Sequence, residues 1–361
     1  MFVPHIRSTP AGGPICHEPA SRLMRVAVVG MGATGARTAR QLVTGSAEVE
    51  ECLCFDVDAT RAAEVAASLG PLARACDVDD LPSHLSSLDV VVLACPKGHA
   101  DLAWMIVAEG AHVVSIADDL HQVEALLALD GPARQAGVHV VVGAGFSPGL
   151  SCLLAVHAAS LFDEVTEIHV ARAGTGGPAC ARSHHAALAG ESCDWRDGDW
   201  VRQPGGAGRQ LVFFPSPVDG LDCYRGGMPD AVLLRPAFPN VERIAVAMAA
   251  TRRDRLTSRL PMLRNPHAEG LDGAARVEVR GRRAPGVDGL RQHDTVVYGA
   301  LDRPAVAAGA VAAVAALWAT TGQLARAGAA GLGVMVPQPV PFLSELAQRG
   351  VTAAVFEGTL S

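Results

Sequence analysis

The first 146 residues alternate between short apolar runs and longer segments of helix-forming residues. Residues 25–29, 51–55 and 89–94 are short and dominated by apolar side chains, which predicts buried strands. The same criteria predict two further strands, at residues 111–116 and 138–142, and helices at residues 33–43, 59–69, 99–109 and 122–135. Strands and helices that alternate at this length form a parallel sheet covered by helices on both faces. We therefore predict an α/β domain with a doubly wound parallel sheet.

The pattern changes after residue 145. Ser147 suits a helix N-cap and Pro148 suits the first turn, so we predict a helix over residues 147–157. Beyond it, strands are predicted at residues 164–171, 210–214, 232–236, 241–249, 275–281 and 295–300, which is typical of a second α+β domain with a mostly antiparallel sheet. The alanine-rich residues 303–321 predict a buried helix, because their apolar run is too short to span a bilayer comfortably.

Composition narrows the class of protein. A chain of 361 residues with 49% hydrophobic residues is long enough for two packed domains. Its net charge of −7 argues against nucleic acid or an anionic membrane as the main partner. The nine cysteines are an odd number without a C-x-x-C pair, which favours reduced thiols and a cytoplasmic location. The first 23 residues lack the apolar segment of a signal peptide or membrane anchor.

Three glycines follow the first predicted strand directly. Gly30, Gly32 and Gly35 lead into a predicted helix in the pattern G-x-G-x-x-G. The first glycine permits a tight turn, the second lets a pyrophosphate approach the backbone, and the third lets helix and strand pack closely, while the helix N-terminus attracts the phosphates. Asp56 ends the second predicted strand 24 residues after Gly32, near the spacing expected for a carboxylate that binds ribose hydroxyls. These features predict a Rossmann domain that binds a nicotinamide dinucleotide.

The surroundings of Asp56 bear on the choice of cofactor. A carboxylate repels a 2′-phosphate, which favours NAD(H) over NADP(H). Arg61 is close enough in the sequence to soften this preference, so NADP(H) remains an alternative. A doubly wound domain whose dinucleotide site is degenerate or unused is the other interpretation of the same pattern.

Lys97 is the only lysine among 30 basic residues. It follows the third clear strand of the pattern, whose carboxyl end should lie beside the nicotinamide. A desolvated lysine can lose its proton, whereas an arginine effectively cannot, so Lys97 is a candidate for proton transfer. The alternative is a solvated loop residue without a role. We interpret the nearby His99 as the start of a helix rather than as a base.

Polar residues also follow the next predicted strands. Asp118 and Asp119 either cap the following helix or place a carboxylate in the cleft, where it would hold a substrate ammonium group. Ser147 to Gly149 either cap their helix or direct its N-terminal amides at the carboxamide or at a substrate carboxylate, and both can hold together.

The second domain contains further candidates. His184 and His185 could supply a base, but adjacent residues on a helix diverge by about 100°, so we do not expect them to share a metal ion. Tyr224, one of two tyrosines, could donate a proton. The arginines between Arg252 and Arg264 form either a solvated or subunit-contact face, or a clamp for substrate carboxylates.

These considerations give the following assignments. We assign catalytic roles to Lys97, Asp119, His184 and Tyr224. We assign cofactor contacts to Gly30, Gly32, Ala33, Thr34, Gly35, Asp56, Val57, Arg61, Cys95, Pro96, Ala117, Gly145, Phe146 and Pro148. We assign substrate contacts to Asp118, Ser147, Gly149, Arg182, His185 and Arg225. No metal site is predicted.

Two further motifs point to a particular family. One is Asp56-Val57-Asp58 followed by Arg61-Ala62, and the other is the crossover loop, Gly143-Ala144-Gly145-Phe146-Ser147-Pro148-Gly149-Leu150-Ser151. With the glycines at 30–35, they make the chain resemble the saccharopine dehydrogenase-like oxidoreductases, a family that includes saccharopine reductase and lysine 6-dehydrogenase. The resemblance covers roughly residues 24–330 and is specific over the first 150 or so.

The resemblance implies an NAD(P)-dependent interconversion of an amine and an imine on an amino acid. It places Asp118 or Asp119, together with the Ser-Pro-Gly of the crossover loop, in the substrate cleft. Two departures leave the substrate open. The family often has an aromatic residue where this chain has Ala117, and saccharopine reductases have leucine and aspartate where it has Phe146 and Ser147.

The first domain is also similar to the Gfo/Idh/MocA sugar dehydrogenases, in the proline after the fourth strand and a histidine in the next helix. Their Glu-Lys-Pro after the fifth strand is replaced here by Ser115-Ile116-Ala117-Asp118. A dehydrogenase of a hydroxyl or carbonyl substrate is therefore the second hypothesis. An enzyme that uses tightly bound NAD transiently, such as a cyclase, epimerase or lyase, is the third.

The domain prediction follows from these parts. We predict a disordered tail at residues 1–23, the Rossmann domain at 24–146, an α+β substrate and dimerisation domain at 147–302, and at 303–361 a C-terminal helix and tail that pack back on the Rossmann domain. The expected partners are a small amino-acid-like substrate and a second copy of the chain in a homodimer.

Overall fold

The computed structural model describes residues 23–262, 266–283 and 292–356. Its first sheet contains seven parallel strands in the order β15-β6-β5-β4-β1-β2-β3. They are β1 (Met24–Val29), β2 (Val49–Asp56), β3 (Ala73–Asp77), β4 (Val90–Leu93), β5 (His112–Ser115), β6 (His139–Val142) and β15 (Gly328–Gly331). The order reverses beside β1, so the predicted doubly wound parallel sheet is confirmed.

The second sheet is mixed and mostly antiparallel, as predicted. Its main order is β10-β11-β12-β7-β13-β14-β16, and the hairpin β8–β9 joins it at β12. The strands are β7 (Glu164–Ala173), β8 (Glu191–Arg196), β9 (Asp199–Pro204), β10 (Gln210–Phe213), β11 (Gly220–Tyr224), β12 (Arg243–Ala249), β13 (Gly273–Arg282), β14 (His293–Asp302) and β16 (Ala353–Phe356). Strand β12 pairs with β7 in parallel, and the other described pairs are antiparallel.

Helices cover the sheets and connect them. The α-helices are α1 (Ala33–Gly45), α2 (Ala59–Leu69), α3 (Leu81–His84), α4 (His99–Ala108), α5 (Leu120–Leu127), α6 (Asp130–Ala136), α7 (Leu150–Ala159), α8 (Pro178–Ala187), α9 (Asp230–Leu234), α10 (Arg252–Thr257), α11 (Pro304–Thr320), α12 (Leu332–Met335) and α13 (Val340–Gln348). Short 3-10 turns occupy Val78–Asp80, Leu85–Ser87 and Arg235–Ala237.

Helix α11 is the alanine-rich helix, and nearly all of its residues are buried. It packs against α1 and the strands β4 and β5. A Cβ on Gly309 would lie 2.7 Å from the Cβ of Arg37 and 3.0 Å from the Thr38 nitrogen, so the two helices approach closely at this glycine. In the part of the chain that the structure describes, no helix is both long enough and apolar enough to cross a membrane.

The strand predicted at residues 232–236 is wrong. Residues Asp230–Leu234 form helix α9, and a 3-10 turn follows it. Leu233 and Leu234 are buried, and a short apolar run of this kind is compatible with either a buried strand or a buried helix segment. The helical stretch predicted at 122–135 is divided into two helices, because α5 ends at Leu127 and α6 begins at Asp130.

The C-terminal segment contributes to both sheets. After α11, strand β15 pairs with β6 at one edge of the first sheet. Strand β16 then pairs with β14 at one edge of the second sheet. Neither strand was predicted from the sequence, because Gly-Ala-Ala-Gly in β15 and Ala-Ala-Val-Phe in β16 lack the run of β-branched residues that marks β4, β5 and β6. The predicted domain boundaries stay predictions.

Candidate active site

A cleft of about 960 Å³ runs along the carboxyl edge of the first sheet. We call it the dinucleotide cleft. Its walls are the loop between β1 and α1, the end of β2, the loops after β4 and β5, and the crossover loop. The start of α8 and residues near Arg303 close it from the other side. In an open α/β sheet, ligands bind at this edge, where the strand order reverses.

The three glycines of the β1–α1 loop differ in what surrounds them. A Cβ on Gly30, whose φ is +99°, would lie 2.7 Å from the Cys95 nitrogen, and a Cβ on Gly35 would lie 1.7 Å from the Gly30 oxygen. A Cβ on Gly32 would meet nothing within 4 Å. Gly32 is the N-cap of α1 and provides no side chain to cap it. The N-terminus of α1 therefore opens on the cleft with room for a phosphate group.

Asp56 lies at the end of β2 and is 7% exposed. Its carboxylate accepts hydrogen bonds from the backbone N–H of Met31, at 2.6 Å, and of Asp58, at 2.9 Å. The guanidinium of Arg61 lies 3.6 Å from it. Asp56 thus braces the glycine loop while lining the cleft, and both Arg61 and the exposed Val57 line the same region.

The loop after β4 places Cys95, Pro96 and Lys97 in the cleft wall. Lys97 is exposed, and it has no ion pair among the described residues. His99 is buried behind this loop, where its Nε2–H donates to the Cys95 carbonyl at 2.6 Å and its Nδ1 accepts from the Ser115 hydroxyl at 2.7 Å. Burial lowers the pKa of His99. His99 therefore acts as a neutral side chain that holds the loop.

Asp118 follows β5, and its carboxylate faces the cleft with 22% of the side chain exposed. One oxygen accepts from the Ser183 hydroxyl at 2.8 Å, and the other accepts from Arg172 at 3.3 Å and from the Cys180 thiol at 3.7 Å. Burial raises the pKa of Cys180 to about 11, so the thiol keeps its proton. Burial acts to lower the pKa of Arg172, but the surrounding acidic groups, Asp118 first and Asp230 with it, together outweigh burial and raise the pKa.

A second buried carboxylate holds the crossover loop. Asp230, the first residue of α9, accepts from the hydroxyls of Ser147 at 2.9 Å and Ser151 at 2.6 Å through one oxygen. Its other oxygen is buried without a described partner, and burial raises the pKa of Asp230. Arg172 donates to the Ser147 carbonyl at 2.7 Å. The carboxylate of Asp230 and the guanidinium of Arg172 therefore both hold the crossover loop.

Most of the residues assigned from the sequence line the cleft. They are Gly30, Gly32, Ala33, Thr34, Asp56, Val57, Arg61, Cys95, Pro96, Lys97, Ala117, Asp118, Gly145, Phe146, Ser147, Pro148 and Arg182. Gly35 lies behind the glycine loop. Gly149, with φ +124°, packs against Gly145, where a Cβ would lie 2.2 Å from the carbonyl oxygen.

The structure places five further assigned residues, besides Gly35 and Gly149, outside the cleft lining. The carboxylate of Asp119 caps α5 by accepting from the Gln122 N–H at 3.0 Å. His184 is buried beside the Ala249 carbonyl, while His185 faces the carbonyls of Thr257 and Leu260. The two remaining residues are Tyr224, which is fully buried, and Arg225, which is 3.7 Å from Asp194. The geometry gives no support to catalytic or substrate roles for these five. Within the described residues, no cluster of histidine, cysteine or acidic side chains could hold a metal ion.

Four residues of the site were missed from the sequence: Arg172, Cys180, Ser183 and Asp230. Arg172 offered one signal, because it is a charged residue inside an apolar strand, and such a residue needs a buried partner. Asp230 offered another, because it precedes an apolar run in the manner of a helix start. Cys180 and Ser183 offered none, since they meet Asp118 only through the fold.

Comparisons with known proteins agree with this architecture. The model of the Gfo/Idh/MocA oxidoreductase family, NAD-binding Rossmann fold, matches residues 24–144. This family was the second of the two resemblances drawn from the sequence. The first domain thus has the NAD-binding Rossmann fold of an oxidoreductase family, which supports a nicotinamide cofactor without deciding between NAD and NADP.

Three solved structures align with most of the chain. Apo saccharopine dehydrogenase (L-Glu forming) from Saccharomyces cerevisiae has a TM-score of 0.65 at 15% identity, covering 92% of this chain and 100% of that one. An engineered D-amino acid dehydrogenase has a TM-score of 0.48 at 14% identity, covering 88% and 96%. The DAP dehydrogenase of C. glutamicum, in complex with DAP, has a TM-score of 0.47 at 17% identity, covering 90% and 98%. At these identities the first likeness establishes a shared fold.

Proposed function

We propose that the chain is an NAD(P)-dependent oxidoreductase that interconverts an amine and an imine on an amino acid, with NAD(H) as the preferred cofactor. The observation that supports this best is the carboxylate of Asp118 at the end of β5, presented to the cleft by side chains of the second domain. The predicted homodimer and cytoplasmic location stay predictions.

The cleft fits a dinucleotide. The open space at Gly32 and the uncapped N-terminus of α1 suit a pyrophosphate, and the carboxylate of Asp56 suits the ribose hydroxyls of the adenosine half. The nicotinamide half would then lie across the ends of β4, β5 and β6, against Cys95, Ala117 and Phe146. A nicotinamide bound there supplies or accepts a hydride.

Asp118 suits a positively charged amine. Its carboxylate offers about four lone-pair directions, and three donors from Arg172, Cys180 and Ser183 already occupy part of them. The exposed part of the carboxylate faces the cleft, where it can accept one more N–H from an ammonium or iminium group. Because the three donors come from a buried strand and from α8, the carboxylate is held in place before the substrate arrives.

Lys97 is the candidate for proton transfer. It lines the cleft at the end of β4, next to the strand that ends before Asp118, and no described carboxylate neutralises it. Arg182 lines the cleft from α8 and also has no described ion pair. Both cations line the same cleft as Asp118, Lys97 from the loop after β4 and Arg182 from α8. We propose that Lys97 exchanges the proton of the amine, while Arg182 attracts the substrate carboxylate.

The first test is cofactor binding. Titration with NADH and with NADPH should raise the melting temperature, and NADH should do so at lower concentration. If neither cofactor stabilises the protein, the proposal is wrong at its first step. Amino acids are then screened with the oxidised cofactor by following the absorbance of the reduced form.

The second test uses a matched pair of substitutions. Asp118→Asn should lower kcat/KM for an amino acid by about 100-fold, because the amide cannot offer a negative charge to the ammonium group. Asp119→Asn removes the same charge from the next residue, which caps α5 outside the cleft lining, and should stay within about threefold of the unsubstituted protein. Equal rates for the two variants would contradict the role given to Asp118.

The family match over residues 24–144 favours a second candidate, a dehydrogenase of a hydroxyl or carbonyl substrate. Such a substrate brings no positive charge to Asp118. The same screen separates the two candidates when polyols and hydroxy acids are added to it. Turnover of neutral polyols, with Asp118→Asn unaffected in its KM, would favour this candidate.

A further inference from the structure

A second pocket lies outside the dinucleotide cleft. It has a volume of about 380 Å³ and shares no lining residue with the cleft. Arg252, Arg255 and Arg259 line one side, and Leu188 with the segment Pro204–Gly206 lines the other. We call it the arginine pocket. The arginines are part of the basic run noted in the sequence, and the structure places them away from any substrate in the cleft.

Arg255 is held in a fixed orientation. Its Nε–H donates to the Gly206 carbonyl at 2.7 Å, and its guanidinium lies 4.3 Å from the centre of the buried Tyr224 ring. In the described part of the chain, its two terminal nitrogens have no hydrogen bond or carboxylate partner. An arginine fixed by an aromatic ring and a carbonyl loses little freedom when it binds an anion.

Among the described residues, no carboxylate forms an ion pair with the arginines of the pocket. Within the described residues, neither Arg252 nor Arg259 forms an ion pair. The carboxylate of Asp254 is the nearest in sequence, but it accepts from the Thr251 N–H at 2.9 Å and from the Thr251 hydroxyl at 2.7 Å, as part of a capping box. Three arginines thus share one pocket, and an anion would relieve their mutual repulsion.

The opposite wall is rigid. A Cβ on Gly205 would lie 2.6 Å from the Gly190 oxygen and 2.7 Å from the Leu188 oxygen, so only glycine fits where this segment meets the end of α8. Gly206 has a φ of +70° and provides the carbonyl that holds Arg255. This wall and the guanidinium of Arg255 are therefore in place before any ligand binds.

We propose that the arginine pocket binds a small oxyanion with two or more negative charges. Guanidinium groups bind phosphate and carboxylate groups through paired hydrogen bonds, and a cavity of this size is at the lower end of the range for small-molecule sites. A phosphate group and a dicarboxylate share this chemistry. The proposal does not depend on the function proposed for the cleft.

The test compares three proteins: the unsubstituted chain, the double variant Arg252→Ala/Arg259→Ala, and the single variant Arg253→Ala. Arg253 lies on the same helix and is exposed, but it does not line the pocket, so it controls for a general loss of charge. Each protein is titrated with inorganic phosphate and, separately, with succinate, in buffers matched in ionic strength with chloride. Binding is measured by calorimetry and by the shift in Tm.

One of the two oxyanions should bind the unsubstituted protein, and its affinity should fall by about tenfold or more in the double variant. The Arg253→Ala variant should stay within about twofold. Whichever oxyanion binds more tightly identifies the ligand class. Phosphate can also bind in the dinucleotide cleft. Only the binding that is lost in the double variant is therefore assigned to the arginine pocket. Equal affinity in all three proteins, or equal Tm shifts with chloride, would overturn the proposal.

The NADH-induced Tm shift serves as an internal control. Both substituted arginines are exposed and outside the cleft, so this shift should be the same in all three proteins. A chain that binds phosphate or succinate through the arginine pocket but gives no response to NADH would support this inference and contradict the function proposed for the cleft.

Discussion

The two ends of the dinucleotide cleft are built in different ways. The cofactor end uses two nearby segments of the first domain, at Gly30–Gly35 and Asp56–Arg61, and it presents mainly backbone N–H groups and one carboxylate. The substrate end combines side chains from Asp118 to Asp230 that lie on five different elements or loops. Arg172 and Asp230 are buried there and Arg172 is bonded to Asp118, whereas the helix terminus at the cofactor end opens on the cleft.

This difference predicts different responses to substitution. At the cofactor end, the space at Gly32 is open, so a change there should affect ligand binding with little effect on folding. At the substrate end, Arg172 and Asp230 are buried and connect the second domain to the crossover loop, so a change there should affect folding as well as activity. Each prediction below tests one side of this contrast.

The largest effect is expected for Arg172→Met. Arg172 is 5% exposed and bonds both Asp118 and the Ser147 carbonyl, so its loss removes the positive charge that pairs with Asp118 and leaves the Ser147 carbonyl without this donor. We expect the free energy of unfolding to fall by about 3 kcal/mol, measured by urea denaturation. Arg182→Met removes an exposed arginine from the same cleft and should change it by less than about 0.5 kcal/mol. If both variants lost a similar free energy of unfolding, Arg172 would not have the structural role that distinguishes the substrate end from the cofactor end.

The same contrast explains what the sequence could predict. The glycine loop and Asp56 were predicted because their spacing is set within one strand–helix–strand unit. Arg172, Cys180 and Ser183 were missed because they meet Asp118 only when β7 and α8 of the second domain pack over the first sheet. Asp118 and Asp119 could not be separated from the sequence, since either can cap a helix, and the structure gives the cap to Asp119.

The fold was predictable to a similar extent. The strands of the first sheet up to β6 gave clear apolar runs, except β3, which is only partly buried. The hairpin β8–β9 has alternating or charged sequences, so the local pattern does not predict its two strands. They pair with each other, and β8 also pairs with β12 of the second sheet. The helical run at Val232–Leu234 was assigned to a strand because three apolar residues fit either structure.

The next effect is expected at the cofactor end. Gly32→Ala adds a Cβ into the space that we assign to the pyrophosphate, so the dissociation constant for NADH should rise by about 30-fold. The unliganded protein should lose less than about 1 kcal/mol, because the φ of −69° at this position suits alanine. Calorimetric titration and denaturation of the same sample measure both. If Gly32→Ala lost much of its stability but bound NADH with unchanged affinity, Gly32 would not lie in the pyrophosphate site.

A third prediction concerns the pH dependence of stability and the buried His184 of α8. Burial lowers the pKa of His184 to about 3, so the folded protein keeps this histidine neutral while the unfolded chain takes up a proton below about 6.5. The stability it contributes is present above that pH and is lost as the pH falls, by about 2 kcal/mol between pH 7 and pH 5. His184→Gln should therefore flatten this part of the stability profile. An unchanged slope in urea denaturation would show that His184 is not the group responsible.

The smallest effect is expected for Arg61→Ala, which refines the cofactor end. The guanidinium lies 3.6 Å from Asp56 and 3.1 Å from Asp58, with about half of its side chain exposed, so it partly offsets the two carboxylates that a 2′-phosphate would meet. Its removal should weaken NADPH binding by about fivefold and change NADH binding by less than about twofold. The ratio of the two dissociation constants, measured at low and at high salt, separates this charge effect from a change in shape. If Arg61→Ala instead binds NADPH more tightly relative to NADH, then Arg61 disfavours the 2′-phosphate. In that case Asp56 is not the only residue that sets the preference for NADH.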